Sequence, residues 1–266
     1  MTDQLKILFA GCGDIAQRAA SRSRHQSFGL RRNPNSLPAE IVPIAADITD
    51  SVKLASVLDL GFDVVVVTLT PGAFTEQAYR ESYLMAAEAL SQAIAATEHR
   101  PQLVIWVSST SVYGNNQGAW VNEDSATAPQ SFSGKLLLQA EQLIAGLPCK
   151  HCIVRFSGIY GPGRTRMLGQ IKAGKGRPAQ PEQWSNRIHS DDCAGFLVHL
   201  VNRYQSGEKL EELYVGTDCE PATQHDVRKW LAGKLNVILT KETRSSRAGT
   251  QRYTNKKVLQ SGYQFQ

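Results

Sequence analysis

The stretch Lys6-Ile7-Leu8-Phe9-Ala10-Gly11-Cys12-Gly13-Asp14-Ile15-Ala16 tells most about the architecture of this chain. Its apolar first half predicts a buried strand, and helix-forming residues follow from Ile15. A strand that turns sharply into a helix points backbone N–H groups out of the helix start, where they can bind a pyrophosphate. Gly11 permits the tight turn, Gly13 lets a phosphate approach the backbone, and Ala16 keeps the helix close to the sheet. The pattern predicts a dinucleotide site, and the alternative is a strand-turn-helix without a ligand. The predicted contacts are Gly11, Gly13, Asp14, Ile15 and Ala16.

The segment around the second predicted strand is basic. An NAD site would carry Asp or Glu at the end of this strand to bind the ribose 2′-hydroxyl. Between Asp14 and Glu40, however, the chain has no acid and has arginines at positions 18, 22, 24, 31 and 32. Guanidinium groups bind phosphate bidentately. The sequence therefore predicts NADP as the cofactor, with Arg31 and Arg32 at its 2′-phosphate. NAD as the cofactor and a merely solvated basic loop are the alternatives.

Length and composition favour one compact α/β unit. The 266 residues suffice for a large core. There is no apolar run of 18 residues, and the N-terminus leads directly into a strand, so we expect neither a membrane span nor a signal peptide. The five cysteines are scattered, as in reduced cytoplasmic proteins. Cys149 and Cys152 form a C-x-x-C without a second ligand pair, so no metal site is predicted.

The formal net charge of +5 comes largely from two clusters. One is the arginine segment described above, and the other is the C-terminal tail. Two local clusters favour small anionic ligands over nucleic acid, which would require a continuous basic stripe. In the tail, Glu242 is the acid among Lys241, Arg244, Arg247, Arg252, Lys256 and Lys257.

Short apolar strands alternate with helical patterns through the first 155 residues. This alternation predicts βαβ units and a Rossmann-like, doubly wound parallel sheet. Beyond Arg155 the alternation gives way to Gly/Pro-rich segments, which predicts a small interleaved C-terminal substrate lobe. The predicted division is a cofactor domain of residues 1–155 plus about 186–203, and a lobe of 156–185 and 204–266. Predicted strands are Lys6–Ala10, Ser27–Leu30, Ile41–Ala45, Val64–Leu69, Leu103–Ser108 and His151–Arg155. Predicted helices are Ile15–Ser23, Val52–Leu58, Thr75–Thr97, Gly134–Ala145, Asp191–Val201 and Gln224–Leu235.

Smaller signals occur where predicted strands end, which is where open α/β sheets bind ligands. Asp47 and Ile48 follow the third strand, and Asp47 is placed to accept a hydrogen bond from the adenine amine. Thr68-Leu69-Thr70 ends the fourth strand, where its backbone would lie along the cofactor. The fifth strand ends in hydroxyls, from Ser108 to Thr110, followed by Tyr113. A Ser-rich turn without function is the alternative for this last segment.

Together these motifs resemble the extended short-chain dehydrogenase/reductase family, in its NAD(P)-dependent epimerase/dehydratase branch. The resemblance covers nearly the whole chain and implies the fold, the nicotinamide cofactor, and a cofactor contact for Phe156, Gly158 and Ile159. In that family a Ser/Thr orients the substrate, a Tyr is the general acid or base, and a Lys four residues later lowers the pKa of that Tyr and holds the nicotinamide ribose. The resembling segments are Gly11–Ala16, Ser108–Gly114, Arg155–Arg164, Arg187–Asp192 and Asn255–Tyr263.

The family's tyrosine has no counterpart here. The resemblance places its hydroxyl at Ser109 and its lysine at Lys135, and four residues before Lys135 stands Ser131. A serine hydroxyl titrates far above a phenol, and Ser133 has the same defect. The predicted catalytic residues are therefore Ser109, Lys135 and Ser131. The missing phenol would come from Tyr79, Tyr83 or Tyr113.

Several polar residues are predicted around a substrate. Thr110, Tyr113, Arg164, Arg187 and His189 are assigned to a small substrate that, by the resemblance, is a nucleotide sugar. Asp191 or Asp192 is predicted to cap the following helix. Trp106 and Trp230 are predicted core residues, and homodimerisation through the helices at 75–97 and 134–145 is expected from the family.

Two functions are consistent with this sequence. The first is an NADP-dependent oxidoreductase or epimerase that acts on a hydroxyl or carbonyl group. The second is a non-catalytic NADP(H)-sensing regulator on the same fold, which the loss of the tyrosine favours.

Overall fold

The computed structural model describes residues 4–114, 118–243 and 251–266. Arg244 and Arg247 of the basic tail lie outside these residues. The strands in chain order are β1 (Lys6–Ala10), β2 (Gln26–Arg31), β3 (Ile41–Ala45), β4 (Val64–Val67), β5 (Leu103–Ser109), β6 (Trp120–Val121), β7 (Lys150–Phe156), β8 (Gly158–Tyr160), β9 (Lys175–Gly176), β10 (Trp184–Ser185), β11 (Arg187–His189), β12 (Leu213–Gly216), β13 (Ala222–Thr223), β14 (Lys241–Glu242) and β15 (Arg252–Tyr253).

The helices follow the predicted pattern closely. The predicted helix over 75–97 consists of α3, a π-helical segment (Arg80–Met85) and α4 in immediate succession, and a short 3₁₀ turn (Thr110–Val112) follows β5. The α-helices are α1 (Asp14–Arg22), α2 (Ser51–Leu58), α3 (Glu76–Tyr79), α4 (Ala86–Ala96), α5 (Phe132–Ala145), α6 (Arg166–Lys172), α7 (Ser190–Gln205), α8 (Gln224–Leu235) and α9 (Lys256–Gln260). Within the described ranges, no helix is both long and apolar enough to cross a bilayer.

Seven strands form the central sheet in the order β12-β7-β5-β4-β1-β2-β3. All six pairings are parallel. The predicted Rossmann-like, doubly wound fold is therefore confirmed. Pro43 lies in β3, the edge strand, where its missing N–H interrupts no interior ladder. The order reverses at β1, which pairs with β2 on one side and β4 on the other, so the ligand crevice is expected at the carboxyl end of β1.

Each face of the sheet has its own apolar core. Alternate residues of β1 point to opposite faces, so that Ile7 and Phe9 pack in one cluster and Leu8 in the other. Helices α1 and α7 cover the first face, and α2, α4 and α5 cover the second. Trp106 is completely buried, as predicted.

Two sequence predictions about the later half are wrong. Trp230 is 62% exposed on α8 rather than in the core, and Lys234 lies over its ring. Strand β12, within the range 204–266 predicted as lobe, is an edge strand of the central sheet beside β7. The rest of the predicted lobe contributes two-residue and three-residue strands and short helices, and its separation from the cofactor domain stays a prediction.

A buried ion pair ties α5 to the sheet. The Arg155 guanidinium of β7 donates from Nη2 to Glu141 Oε2 at 2.6 Å and from Nε to Oε1 at 3.0 Å. Ser108 of β5 donates to the same Glu141 carboxylate at 2.5 Å. Arg155 also donates to the Tyr113 hydroxyl at 2.8 Å. This network fixes which face of α5 is turned toward the strands.

We predict that Arg155→Met lowers the free energy of unfolding by about 3 kcal/mol, because the Glu141 carboxylate stays buried without its counter-charge. Urea unfolding measures this loss. The matched control is Arg166→Met, an exposed arginine at the start of α6, which should unfold as the wild type does. Equal stability of the two variants would contradict this role of the pair.

Candidate functional site

The turn after β1 has room for a ligand but none for a side chain at its first glycine. Gly11 has φ of 73°, and a Cβ there would lie 2.5 Å from Leu69 Cδ2 and 2.7 Å from the Thr68 carbonyl oxygen. Gly13 has an extended backbone, and a Cβ there would meet only the Gly11 oxygen, at 3.7 Å. The fold therefore requires glycine at position 11, whereas at position 13 it leaves open space next to the helix start.

The N-terminus of α1 has no side-chain cap. By contrast, Asp50, Ser131 and Thr223 each accept a hydrogen bond from the first turn of the helix that follows them. The first N–H groups of a helix need acceptors, and they carry the positive end of the helix dipole. Backbone donors beside an open glycine suit a diphosphate, so this end of α1 fits the pyrophosphate of a dinucleotide.

A cleft of about 300 Å³ begins at this turn and continues along the carboxyl ends of β4, β5 and β7. It combines residues that are far apart in the sequence. Of the predicted site residues, the cleft is lined by Gly13, Asp14, Ile15, Thr68, Leu69, Thr70, Ser109, Phe156, Ile159 and Arg164. Two of the three candidate phenols, Tyr79 and Tyr83, also line it, as does Ser108 of the hydroxyl segment. The lining residues that the sequence did not single out are Pro71, Val107, Ser111, Leu137 and Ser157.

Helix α5 presents a different face to the cleft from the one predicted. Leu137 lines the cleft, whereas Lys135 is exposed to solvent and is not part of the lining. Because residues four apart share a helix face, the partner of Leu137 on this face is Ser133, which is buried. The cleft lining therefore gives no support to the prediction that Lys135 lies in the site, and its role stays a prediction.

Ser131 is a helix cap. Its hydroxyl accepts a hydrogen bond from the Gly134 N–H at 3.1 Å and lies 3.0 Å from the Ser133 hydroxyl. It is not among the residues that line the cleft. Capping therefore explains the residue type of Ser131, and the cleft lining gives its predicted catalytic role no support.

The hydroxyls at the end of β5 have unequal environments. Ser109 lines the cleft and accepts a hydrogen bond from the Ser111 N–H at 3.2 Å. Ser108 is bonded to Glu141. Thr110 is buried away from the lining, and the Tyr253 hydroxyl donates to its carbonyl oxygen. Ser109 is thus the hydroxyl of this segment best placed to contact a bound molecule, and the assignment of Thr110 to a substrate is not supported.

Three phenols were candidates for the missing acid or base. Tyr113 is buried, accepts a hydrogen bond from Arg155, and lies outside the cleft lining, so its predicted substrate contact has no support here. Burial raises the pKa of Tyr113 to about 12. Burial also raises the pKa of Tyr83, whose hydroxyl donates to the Leu69 carbonyl at 3.2 Å. Tyr79 lines the cleft and is half-buried.

The predicted adenosine end lies beside the carboxyl end of β2. Arg31 is half-buried, with its Nη1 3.5 Å from the Cys12 carbonyl oxygen, and Arg32 is exposed. Asp47 accepts two hydrogen bonds from Thr49, at 3.0 and 2.9 Å. Ile48 is buried in the core, which leaves its backbone as the part able to contact a ligand. None of these four residues lines the cleft.

The predicted substrate residues of the lobe are dispersed. Arg187 lies outside the cleft lining, and burial lowers its pKa. His189 caps α7 by accepting from the Asp191 N–H at 3.2 Å, so the prediction that Asp191 or Asp192 is the cap is wrong by two or three residues. Gly158 pairs with Arg187 in the small β8–β11 sheet. Arg164 alone of the three predicted side chains (Arg164, Arg187 and His189) lines the cleft. Among the residues described, no three His, Cys, Asp or Glu side chains form a metal-binding group.

Comparisons with known proteins agree with this geometry. Residues 12–245 match the family model of the RmlD substrate binding domain. The protein YeeZ of Escherichia coli K12 is 33% identical over 210 residues, which are 77% of this chain and 65% of YeeZ. The chain thus spans less than two thirds of the length of this curated relative.

Solved structures extend the agreement over the whole fold. A Methylobacillus flagellatus protein, described as a candidate NAD-dependent epimerase/dehydratase, is 34% identical with a TM-score of 0.81, covering 99% of this chain and 93% of its own. Two further structures share the fold at low identity. Human epimerase family protein SDR39U1 with NADPH has 20% identity and a TM-score of 0.78, covering 98% of this chain and 95% of its own. UDP-glucuronic acid 4-epimerase of Bacillus cereus, with UDP-glucuronic acid and NAD, has 21% identity and a TM-score of 0.79, covering 96% and 92%. From the family model and these structural neighbours, the chain belongs to the RmlD substrate binding domain family, among the NAD(P)-binding epimerase/dehydratase proteins of the extended short-chain dehydrogenase/reductase type.

Proposed function

We propose that this protein binds NADP(H) in the cleft and uses it as an oxidoreductase or epimerase on a hydroxyl or carbonyl group of a small, nucleotide-linked substrate. The observation that carries the proposal is the uncapped start of α1 beside the open Gly13, from which the cleft continues to the Ser109 hydroxyl. The first feature accepts a diphosphate, and the second offers a hydrogen bond to the reacting oxygen. Both are needed for nicotinamide chemistry, and one cleft contains both.

The division of work in such a cleft follows from its lining. When bound, the nicotinamide cofactor supplies or accepts the hydride. Ser109 would orient the substrate oxygen, and Tyr79, a half-buried phenol of the cleft lining, would donate or accept the proton. No lysine lines the cleft in the described part of the chain. We therefore expect slower proton transfer than a Tyr–Lys pair would give.

The proposal also includes the cellular compartment and the oligomeric state of the protein. Five free thiols favour a reducing cytoplasm. The adjacent helices α4 and α5 on the outer side of the sheet are the proposed homodimer surface. Sedimentation velocity would measure the oligomeric state directly.

The preference for NADP is assigned to the two arginines at the end of β2. The other arginines of the basic segment are engaged elsewhere: Arg18 and Arg22 pair with Asp191 at 2.8 and 2.9 Å, and Arg24 donates to Gln205. Arg31 and Arg32 are therefore the guanidiniums of that segment that remain for a 2′-phosphate.

We predict that changing Arg31 and Arg32 together to Ala raises the Kd for NADPH by about 100-fold and that for NADH by about twofold or less, since two charge-assisted hydrogen bonds to phosphate are lost. Isothermal titration calorimetry with both nucleotides measures the two constants. The matched control is Arg24→Ala. An equal loss for NADPH and NADH would show that the 2′-phosphate lies elsewhere.

We predict that Gly13→Val abolishes binding of NADPH while the melting temperature stays near that of the wild type. A Cβ at position 13 would meet only the Gly11 oxygen, at 3.7 Å, and the branched side chain would occupy the space proposed for the pyrophosphate. Calorimetry and thermal unfolding give the two readouts. Lys135→Ala serves as the control, and its Kd should equal that of the wild type because Lys135 is solvent-exposed outside the cleft. Normal NADPH binding by Gly13→Val would overturn the proposed site.

Turnover tests the catalytic half of the proposal. Purified protein with NADPH and a panel of carbonyl compounds and nucleotide sugars should show loss of absorbance at 340 nm or epimer formation for at least one member. For that substrate, Tyr79→Phe should lower kcat by about 100-fold, the usual contribution of a general acid. Tight NADPH binding without turnover across the panel would count against an enzyme.

A non-catalytic NADP(H)-sensing regulator is the second candidate, and the α5 face favours it. Ser133 and Leu137 supply neither an acid nor a cation on the face of α5 that is turned toward the cleft. A sensor should bind NADP and NADPH with different affinities and should recover a protein partner in one of the two states. Equal affinities, with no partner recovered in either state, would dismiss it.

A further inference from the structure

Arg164 lies between the lobe and the start of α1. It belongs to the short loop between β8 and α6, where Gly161 and Gly163 have φ of 138° and 81° and the Arg164 N–H donates to the Gly161 carbonyl at 3.1 Å. Its side chain crosses to the cofactor domain, where Nη2 lies 3.3 Å from Asp14 Oδ2. The loop thus projects a guanidinium over the turn that follows β1.

Asp14 creates an electrostatic problem at this place. It is in the first turn of α1 and lines the cleft, with 43% of its side chain exposed. A carboxylate beside the backbone donors that would hold a pyrophosphate repels the two phosphates. One Asp14 oxygen is bonded to Arg18 Nε at 2.7 Å, but Arg18 is also committed to Asp191. The second oxygen faces Arg164.

Arg164 has donors left for another anion. Its contact with Asp14 uses one nitrogen of a guanidinium that carries five N–H groups. The side chain is 36% exposed and lines the same cleft as Gly13 and Ile15. A planar guanidinium can hold a carboxylate on one edge and a phosphate on another. The Arg164 guanidinium therefore lies where a positive charge would offset the repulsion between the Asp14 carboxylate and a bound pyrophosphate.

We infer that Arg164 is a ligand of the cofactor's pyrophosphate and not of the substrate, and that it offsets the charge of Asp14 at the glycine turn. The inference rests on the proposed NADP(H) binding and assigns to that site a residue from the lobe. A bound cofactor would then add a second link between the 161–164 loop and α1, beside the Arg164–Asp14 contact. Arg187, outside the cleft lining, keeps no part in this contact.

Binding measurements with three ligands that share a pyrophosphate test the assignment. Arg164→Ala should raise the Kd for NADPH, NADH and ADP-ribose by about tenfold each, because one charge-assisted contact common to all three is lost. Arg166→Ala, an exposed arginine two residues away, is the matched control and should bind like the wild type. Thermal unfolding of both variants verifies that the fold is retained.

A double variant tests the part given to Asp14. In the Arg164→Ala variant the Asp14 carboxylate has lost the Arg164 guanidinium. Adding Asp14→Asn should therefore lower the Kd for NADPH at least about threefold relative to Arg164→Ala alone, as expected for removal of one nearby like charge. No recovery would overturn the offsetting role.

The outcomes separate this inference from the proposed function. If the wild-type protein binds none of the three ligands, the proposed function fails. If the wild type binds them and Arg164→Ala binds them equally well, the assignment of Arg164 to the pyrophosphate is overturned and the proposed function stands. A loss confined to NADPH, with NADH and ADP-ribose unaffected, would place Arg164 at the 2′-phosphate and would equally overturn the inference.

Discussion

The close approach of the β1 turn to the end of β4 is the constraint on which the site depends. Strands β1 and β4 are neighbours at the point where the strand order reverses, so the chain leaving β1 must pass directly over Thr68 and Leu69. Only a residue without Cβ and with positive φ fits there, and Gly11 meets both requirements. Helix α1 then starts after Gly13, which is at its N-cap position and has no side chain to accept a hydrogen bond from the first turn. The first N–H groups of α1 are therefore left uncapped beside the open space at Gly13, where the cleft begins. Packing against β4 thus requires Gly11, whereas the open glycine at position 13 leaves the helix start uncapped.

A second constraint sets the rotation of α5. It explains why Leu137 lines the cleft and Lys135, which was predicted in the site, does not. The Glu141 carboxylate is buried against Arg155 and Ser108, so its face of the helix must point toward the sheet. Leu137 is four residues away, roughly 40° around the helix, and shares that face, whereas Lys135 is six residues away, roughly 240°, and points outward. The family resemblance assigned Lys135 to the site because a lysine stands at that position of the motif. The buried Glu141–Arg155 ion pair instead fixes the rotation of α5, and this rotation determines which of its side chains face the cleft.

Parts of the structure that follow from local patterns could be predicted from the sequence. Strands β1 and β3 have the predicted bounds, because buried parallel strands are continuous apolar runs. Strands β2 and β7 are longer than predicted by one residue at each end, and β4 and β5 differ by two residues and one residue at the C-terminal end. Strand β12 was not predicted since its four residues follow two acids and are recognisable only by pairing with β7. The His189 cap was missed because aspartate is the commoner capping residue. Trp230 was assigned to the core from apolar periodicity, but α8 packs against the short elements α6, β9 and β13 and buries Arg228 and Ala232 rather than Trp230. A sequence signal for the face of α5 that is turned toward the sheet was Glu141, an acid six residues after Lys135 that is buried in the structure.

The charge pattern required the most tertiary information. Five arginines in a segment without acids suggested one phosphate-binding patch, but charge in a sequence is not charge available to a ligand. Asp191, contributed by the distant α7, engages Arg18 and Arg22, and Asp14 holds Arg18 as well. Arg24 donates to Gln205, so Arg31 and Arg32 at the end of β2 are what remains of the five. Arg164, from the loop between β8 and α6, is a further guanidinium outside that segment. The positive charge that would hold a dinucleotide is therefore distributed along it, with one group at each phosphate region. The proposed arrangement assigns fewer arginines to the dinucleotide than the basic segment contains. Arg164 is assigned to the pyrophosphate beside the Asp14 carboxylate, and Arg31 and Arg32 are assigned to the 2′-phosphate.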